Sequence, residues 1–430
     1  MLQCGLFEHD ITPALGSEIP GKFFVRKSDG ILDRLYAHAA FIKNDDHEAC
    51  VIISVDVIFI PETVAEEART SIADRLHIQK ECIMLVATHS HTAGPVWSWG
   101  EFSHASEAYM EFLKARIVDA AQLAAERAHD VKISIAKGVE KKIAYVRDFK
   151  LKDGSVATNP LPEHAERSLG EIDPEVIVLS IDEMDGTPSG VFVNYACHCD
   201  CVNGTKYSAD YPGAMRAFLK KVYGDQFVPI FINGFNGDIN HCDIAGHFHE
   251  VPKHYQRMGR ILAADVIKTR ETAQPMRGET IQGAHRYLTM QNRIPDAALL
   301  SWAKANEAGE SSLIDSFYAH EVLQLAETGA TNHRFAVQVV KIGQFAVFGM
   351  PGEIYSAFAK ALKQRALTEF AASANLANGN IGYIPTKEMF LPGIYPARLC
   401  SSSKMPPETG AFLLYREVSL TSFFKVSIWY

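Results

Sequence analysis

The chain has 430 residues, 47% of them apolar and 22% charged, with a formal net charge of −9. That is ordinary globular composition, long enough for a large α/β interior. No block of like charges occurs, which argues against nucleic acid or an anionic membrane as partner. The opening, MLQCGLFEHD, has neither the basic nor the apolar part of a secretory signal. The longest apolar run, CVIISVDVIFIP, is too short for a membrane span and carries Asp56. Eight cysteines occur, with Cys197, Cys199 and Cys201 crowded together, and they do not form a small-scaffold disulfide pattern. A cytoplasmic protein with free thiols is expected.

In chain order, EACVIISVDVIFI reads as a buried strand, 61–77 as a helix and CIMLVA as a strand. Residues 105–130 form a long amphipathic helix. VIVLSID and GVFVNYA read as strands around a turn at Asp185 and Gly186. YPGAMRAFLKKVYG is a helix with proline near its start, and FVPIFING is a strand. Residues 254–328 read as helix-rich. RFAVQVVKIGQFAVFGM is a hairpin turning near Ile342 and Gly343, EIYSAFAKALKQRAL a helix, NIGYIPT a short strand and REVSLTSFFKVSIWY a strand-like tail. The pattern predicts an α/β fold of mixed β-sheets flanked by helices.

Chemically capable residues repeatedly follow an apolar strand. CIMLVA delivers His89 and His91, VFVNYA delivers His198, VPIFING delivers Asp238, and FAVFGM delivers Glu353. Ligands bind at the carboxyl ends of strands in open α/β sheets, so a metal site is expected there.

Each motif also has a plainer reading. An H-x-H pair supplies metal ligands or merely bonds locally. In NYACHCDCVNG, i, i+2, i+4 spacing puts the three thiols on one face, with His198 and Asp200 on the other. The thiols then read as packing residues and His198 as the ligand. FINGFNGDINHCD is glycine-studded and allows close backbone approach to a ligand, or is a tight loop capped by Asp238. Glu353 after Pro-Gly sits at a helix opening, as a helix-end acid or as a carboxylate ligand. His241, His247 and His249 read as part of a polar loop. Asp56 and Asp238 leave room for a second metal. H-E-x-x-H and G-x-S-x-G are both absent.

Taken together, HDITPALG, ILDRLYAHAAFI, SVDVIF, ATHSHTAGP, NYACHCD, SADYPGA, NGDIN, GMPGE and NIGYIPT resemble the neutral (alkaline-type, non-lysosomal) ceramidase family in order and spacing. The resemblance implies a zinc amidohydrolase that cleaves an N-acyl bond with zinc-activated water. It implies His89, His198, Glu353 and Tyr383 as Zn2+ ligands, and His91 as an outer or acid/base histidine. It implies Arg147 facing the substrate and Tyr395 near the reacting carbonyl. Where the family carries a serine after Gly-Asp-Val, Asn240 follows Gly237, Asp238 and Ile239 here. Asparagine cannot be that nucleophile but can donate to an oxyanion. Asn380 replaces the first tyrosine of a paired-tyrosine segment. The expectation is one catalytic domain over 1–430 with no separate carboxyl-terminal domain, acting on a small soluble N-acyl compound. A lipid-amide ceramidase and a catalytically lapsed binding protein of the same fold are the alternatives. The sequence is compatible with an oligomer.

Overall fold

The computed structural model describes residues 1–244, 253–307 and 312–420. The main sheet is built from β1 (Gln3–Asp10), β2 (Tyr36–Lys43), β3 (Ala49–Val55), β4 (Ile83–Ala87), β5 (His129–Val139), β6 (Glu175–Glu183), β7 (Pro188–Tyr195) and β8 (Val228–Asn233). Their spatial order is β8-β7-β6-β5-β1-β2-β3-β4, with Gln274–Pro275 paired to β5 off this path. The β3–β4 and β7–β8 pairs are parallel and the other neighbours antiparallel. Only two residue pairs join β1 to β5. The sheet folds on itself about that narrow seam, bringing β8 against β3 and β4. Ser54 Oγ donates to Phe231 O at 2.5 Å, and Asn233 Nδ2 donates to Thr88 O at 2.9 Å.

A second sheet, in order, contains β9 (Ile281–Gln291), β10 (Asn332–Ile342), β11 (Phe345–Gly349) and β12 (Phe370–Ala374). Apolar side chains from all these layers meet in one core, including Ile52, Met84, Leu179, Ile230, Val340 and Val347. Helices cover the outside. α1 (Glu62–Leu76) and α2 (Glu107–Glu126) pack on β2–β4, and α3 (Asp210–Tyr223) and α4 (His254–Arg270) on β6–β8. α5 (Ala297–Asn306) and α6 (Leu313–Thr328) form a hairpin, while α7 (Ser356–Arg365) and α8 (Thr409–Leu420) cover the second sheet. Local signals set the helix ends. Ser106 caps α2 through Tyr109 N, and His77 ends α1 in the left-handed conformation.

Three expectations change. The region read as helix-rich over 254–328 contains the eleven-residue strand β9, paired to β10 along its whole length. Glu353 does not open a helix. It lies on the two-residue strand Glu353–Ile354, paired in parallel with Tyr383–Ile384, and α7 starts at Ser356. The tail read as strand-like from Arg416 begins as the last turn of α8, and its residues 421–430 lie outside the described residues, as do His247 and His249. No described helix is long and apolar enough to cross a membrane.

Candidate metal centre

The chain leaves β4 at Ala87 and bends sharply. Thr88 N and His89 N donate to Val55 O and Val57 O, at 2.9 and 3.0 Å. His89 itself takes φ 69°, a left-handed conformation uncommon for a residue with a Cβ. The isolated bridge between Ser90 and Cys199 then lays the loop after β4 beside the loop after β7. That bridge brings His89, His91 and His198 together, with ring centroids 4.7 Å apart for His89 and His198 and 4.8 Å for His89 and His91.

All three imidazoles are oriented by backbone carbonyls. His89 Nδ1 lies 2.7 Å from Ile58 O, and His91 Nδ1 lies 3.0 Å from Gly21 O. His198 Nδ1 lies 3.0 Å from both Asn236 O and Ile239 O. A carbonyl only accepts, so each Nδ1 must carry the hydrogen, and in a neutral ring each Nε2 then presents a lone pair. Those lone pairs converge. His91 Nε2 is 3.3 Å from His89 Nε2. Glu353 Oε2 is 3.3 Å from His89 Nε2 and 3.2 Å from His198 Nε2. Despite that proximity, the buried His198 Nε2 and Glu353 Oε2 have no hydrogen-bond partner among the described residues. Acceptor faces acceptor, an arrangement that costs free energy unless a cation lies between them.

The electrostatics agree. Burial is the main cause that pulls His91 down to about 3 and His198 down to about 4, so both are neutral. Burial alone would raise Glu353, but His89 and His198 outweigh it and keep the carboxylate ionised. Burial would likewise lower His89, yet the Glu353 charge wins and its pKa is raised. The cluster therefore calls for positive charge, which a proton on His89 supplies in part and a divalent cation more fully. Imidazole nitrogens and one carboxylate oxygen make a donor set suited to zinc. Among the described residues, His89, His91 and His198 are the group of three or more side chains able to hold a metal. His91 thus belongs to the same group, although its ring centroid lies 6.0 Å from that of His198.

Tyr383 lies directly opposite Glu353 in the short parallel pair, and Glu353 N donates to Gly382 O at 3.0 Å. Burial pushes the Tyr383 phenol well up, so it is neutral in this environment. Arg147 follows the strand Tyr145–Val146, which pairs with Ile239–Asn240. Its backbone N donates to Asp238 O at 3.0 Å, and its guanidinium donates to Gly237 O. The guanidinium carbon is 5.2 Å from the Tyr383 ring centroid and 5.9 Å from that of Tyr395, and the two rings are 5.6 Å apart. Burial opposes the Arg147 charge, but the Asp148 carboxylate beside it favours the cation and the guanidinium stays charged. The Asn240 side-chain amide donates to Asn159 Oδ1 at 3.4 Å.

The carboxylates considered for a second metal are engaged in structure. Asp56 accepts from Arg216 at 2.7 Å and from Tyr36 N at 2.9 Å. Asp238 accepts from Ser356 N and Oγ at 2.7 and 2.8 Å, fixing the start of α7. The close approach at Gly237 is to the chain itself, since a Cβ there would lie 2.4 Å from Glu353 O. Cys197 and Cys199 pack in the core with Tyr211 and Phe231.

Residues 20–26 contribute what motif reading missed. Gly21 has φ 95°, and a Cβ there would lie 2.7 Å from His91 Nδ1. The buried Arg26 donates to Pro20 O at 2.6 Å and to His91 O at 2.7 Å. Lys22 pairs with Asp200 at 2.6 Å, joining this loop to the loop after β7. The signal available was the glycine in an irregular stretch rich in turn residues, which names no partner.

Fold and site together define an α/β protein with a buried, metal-competent cluster of histidines and a carboxylate. The family model for neutral/alkaline non-lysosomal ceramidase, N-terminal, matches residues 4–246, and the chain belongs to that family. Among solved structures, the neutral ceramidase from Pseudomonas aeruginosa is similar, with a TM-score of 0.78 and 18% identity over 99% of this chain and 74% of that one. A ceramidase complexed with C2 is similar at a TM-score of 0.76 and 17% identity, over 99% of this chain and 75% of that one. At these identities the likeness is one of fold. No curated protein matches the chain.

Proposed function

We propose that the chain is a zinc-dependent hydrolase of an N-acyl (amide) bond in a small soluble substrate. Family membership and the metal-competent cluster support this reading. The observation that carries it is the convergence of acceptor atoms of His89, His91, His198 and Glu353 with no donor between His198 and Glu353. His89, His198, Glu353 and Tyr383 would hold the ion, with His91 near enough to join them or to move a proton. When bound, zinc supplies Lewis acidity for water and for the amide carbonyl. Neutral His91 is in the state that accepts a proton from water and can pass it to the leaving amine. Arg147 and Tyr395 orient the carbonyl and donate to its oxygen as charge develops. Asn240 would be a donor at the rim. Residues 1–430 would act as one catalytic unit, supported by the core shared between both sheets. The eight cysteines, all unpaired, support a reducing cytoplasmic setting.

A lipid amide is the second reading. Phe24 and Val25 are 57% and 51% exposed in the loop that carries Gly21, an apolar lip beside the site. Turnover of an N-acyl lipid in mixed micelles, but not of short-chain N-acyl compounds, would favour it.

Two variants test the favoured reading. His198→Ala is expected to lose stoichiometric zinc, and retention of it would remove His198 from the ligand set. Tyr395→Phe is expected to keep zinc and lower kcat, and an unchanged kcat would end its role in turnover.

A further inference from the structure

Tyr395 has a second side. A cavity of about 540 Å3 opens against it, with apolar walls that include Leu299, Phe390, Ile394 and Leu399. Arg293 and Arg398 also line it, and among the described residues no carboxylate does. The two arginines differ. Arg398 is paired with Asp315 at 2.8 Å and lies 3.7 Å over the Tyr318 ring. Arg293 donates to Ala397 O at 3.0 Å and to Ser403 O at 2.5 Å, both neutral carbonyls. Its guanidinium stacks 4.9 Å from the Phe390 centroid, and its buried Nε has no partner among the described residues. Burial opposes its charge, pulling the pKa down to about 10, and no carboxylate among the described residues offsets that. Arginine stays charged there, so a mostly buried cation lacks an anion.

The cavity touches the same tyrosine that sits 5.6 Å from Tyr383 and 5.9 Å from Arg147 on the metal side. Tyr395 thus borders both the metal side and this cavity. We infer that the cavity is a specificity subsite for a carboxylate carried on an apolar group of the amide substrate, with Arg293 as the residue that reads the carboxylate. This rests on the hydrolase reading above. The carboxylate can belong to the amine half, as in an N-acyl amino acid, or to the acyl half, as in the monoamide of a dicarboxylic acid. Either places an anion beside Arg293 and an apolar group against Leu299 and Phe390, so substrate charge would complete a pairing the protein lacks.

Binding tests this without requiring turnover. The full chain is titrated calorimetrically with N-acetyl-L-phenylalanine and its carboxamide, and with N-benzylsuccinamic acid and its carboxamide. At least one acid is expected to bind about tenfold or more tightly than its carboxamide, the size of a charge-assisted contact. The pair that discriminates identifies the half carrying the carboxylate. Arg293→Met should abolish the preference. Because Arg293 also ties Ala397 and Ser403, Leu391→Glu provides a second variant: Leu391 lines the cavity, is 42% exposed, and tolerates a charge that repels the ligand. It should weaken acid binding and spare the carboxamide. His198→Ala should keep the preference, which separates this site from direct metal binding. Equal binding of acid and carboxamide in both pairs, or a preference that survives Arg293→Met and disappears in His198→Ala, would overturn the assignment. Absence of zinc would end the hydrolase reading and leave this outcome readable.

Discussion

At the scale of the residue, the site is decided by which ring nitrogen carries hydrogen. Carbonyls from Ile58, Gly21, Asn236 and Ile239 hold the Nδ1 hydrogens of three histidines and so aim their Nε2 atoms at one another. His89 and His198 were legible because each follows an apolar strand. His91 follows the same strand and was read as facing the chemistry, but its anchor was not legible, since Gly21 lies seventy positions away in an irregular loop. Gly21→Ala would force a Cβ against His91 and strain a left-handed backbone, at about 1–2 kcal/mol for the conformation alone. We expect zinc affinity or turnover to fall by about tenfold or more, since 1.4 kcal/mol is a factor of ten. Wild-type metal titration and kinetics in this variant would show that His91 is not held from Gly21.

At the scale of the element, buried charges fasten helices to the sheet. Asp56, just past β3, is fully buried and pairs with Arg216 on α3. This joins the two halves of the folded sheet near the loops that carry His89 and His198. Arg216→Met leaves Asp56 without its cation, and we expect a loss of about 3–5 kcal/mol in urea unfolding. A loss under about 1 kcal/mol would mean that the pair contributes little to stability. Asp210, in the first turn of α3, is buried, and burial raises its pKa from 3.8 to about 6. Folding thus favours its protonated form. The stability this contributes is full below the unfolded value and is lost as pH rises through about 6. Relative to Asp210→Asn, the wild type should lose on the order of 2 kcal/mol between pH 4 and 7; parallel stability curves would contradict that. Strand β9 was illegible for a related reason. Its sequence, IQGAHRYLTMQ, mixes glycine and charged residues, and its pairing to β10 rather than any apolar alternation holds it in place.

At the scale of the molecule, strands distant in sheet order supply one site. β4 and β8 end opposite edges of the strand path, yet Asn233, the last residue of β8, donates to Thr88 O beside His89. The α/β class and the strand-to-loop pattern were readable from hydrophobic runs. The fold of the sheet on itself was not, because it arises from a two-pair seam between β1 and β5 and from side-chain hydrogen bonds. Glu353 shows the same limit: its local sequence suited a helix opening, but pairing with Tyr383–Ile384 turns it to the histidines. We infer that this cluster is built for a metal ion. Elemental analysis of the purified, folded chain, with no metal added, addresses it directly. Roughly one zinc per chain is expected. A folded protein without tightly held metal would contradict it.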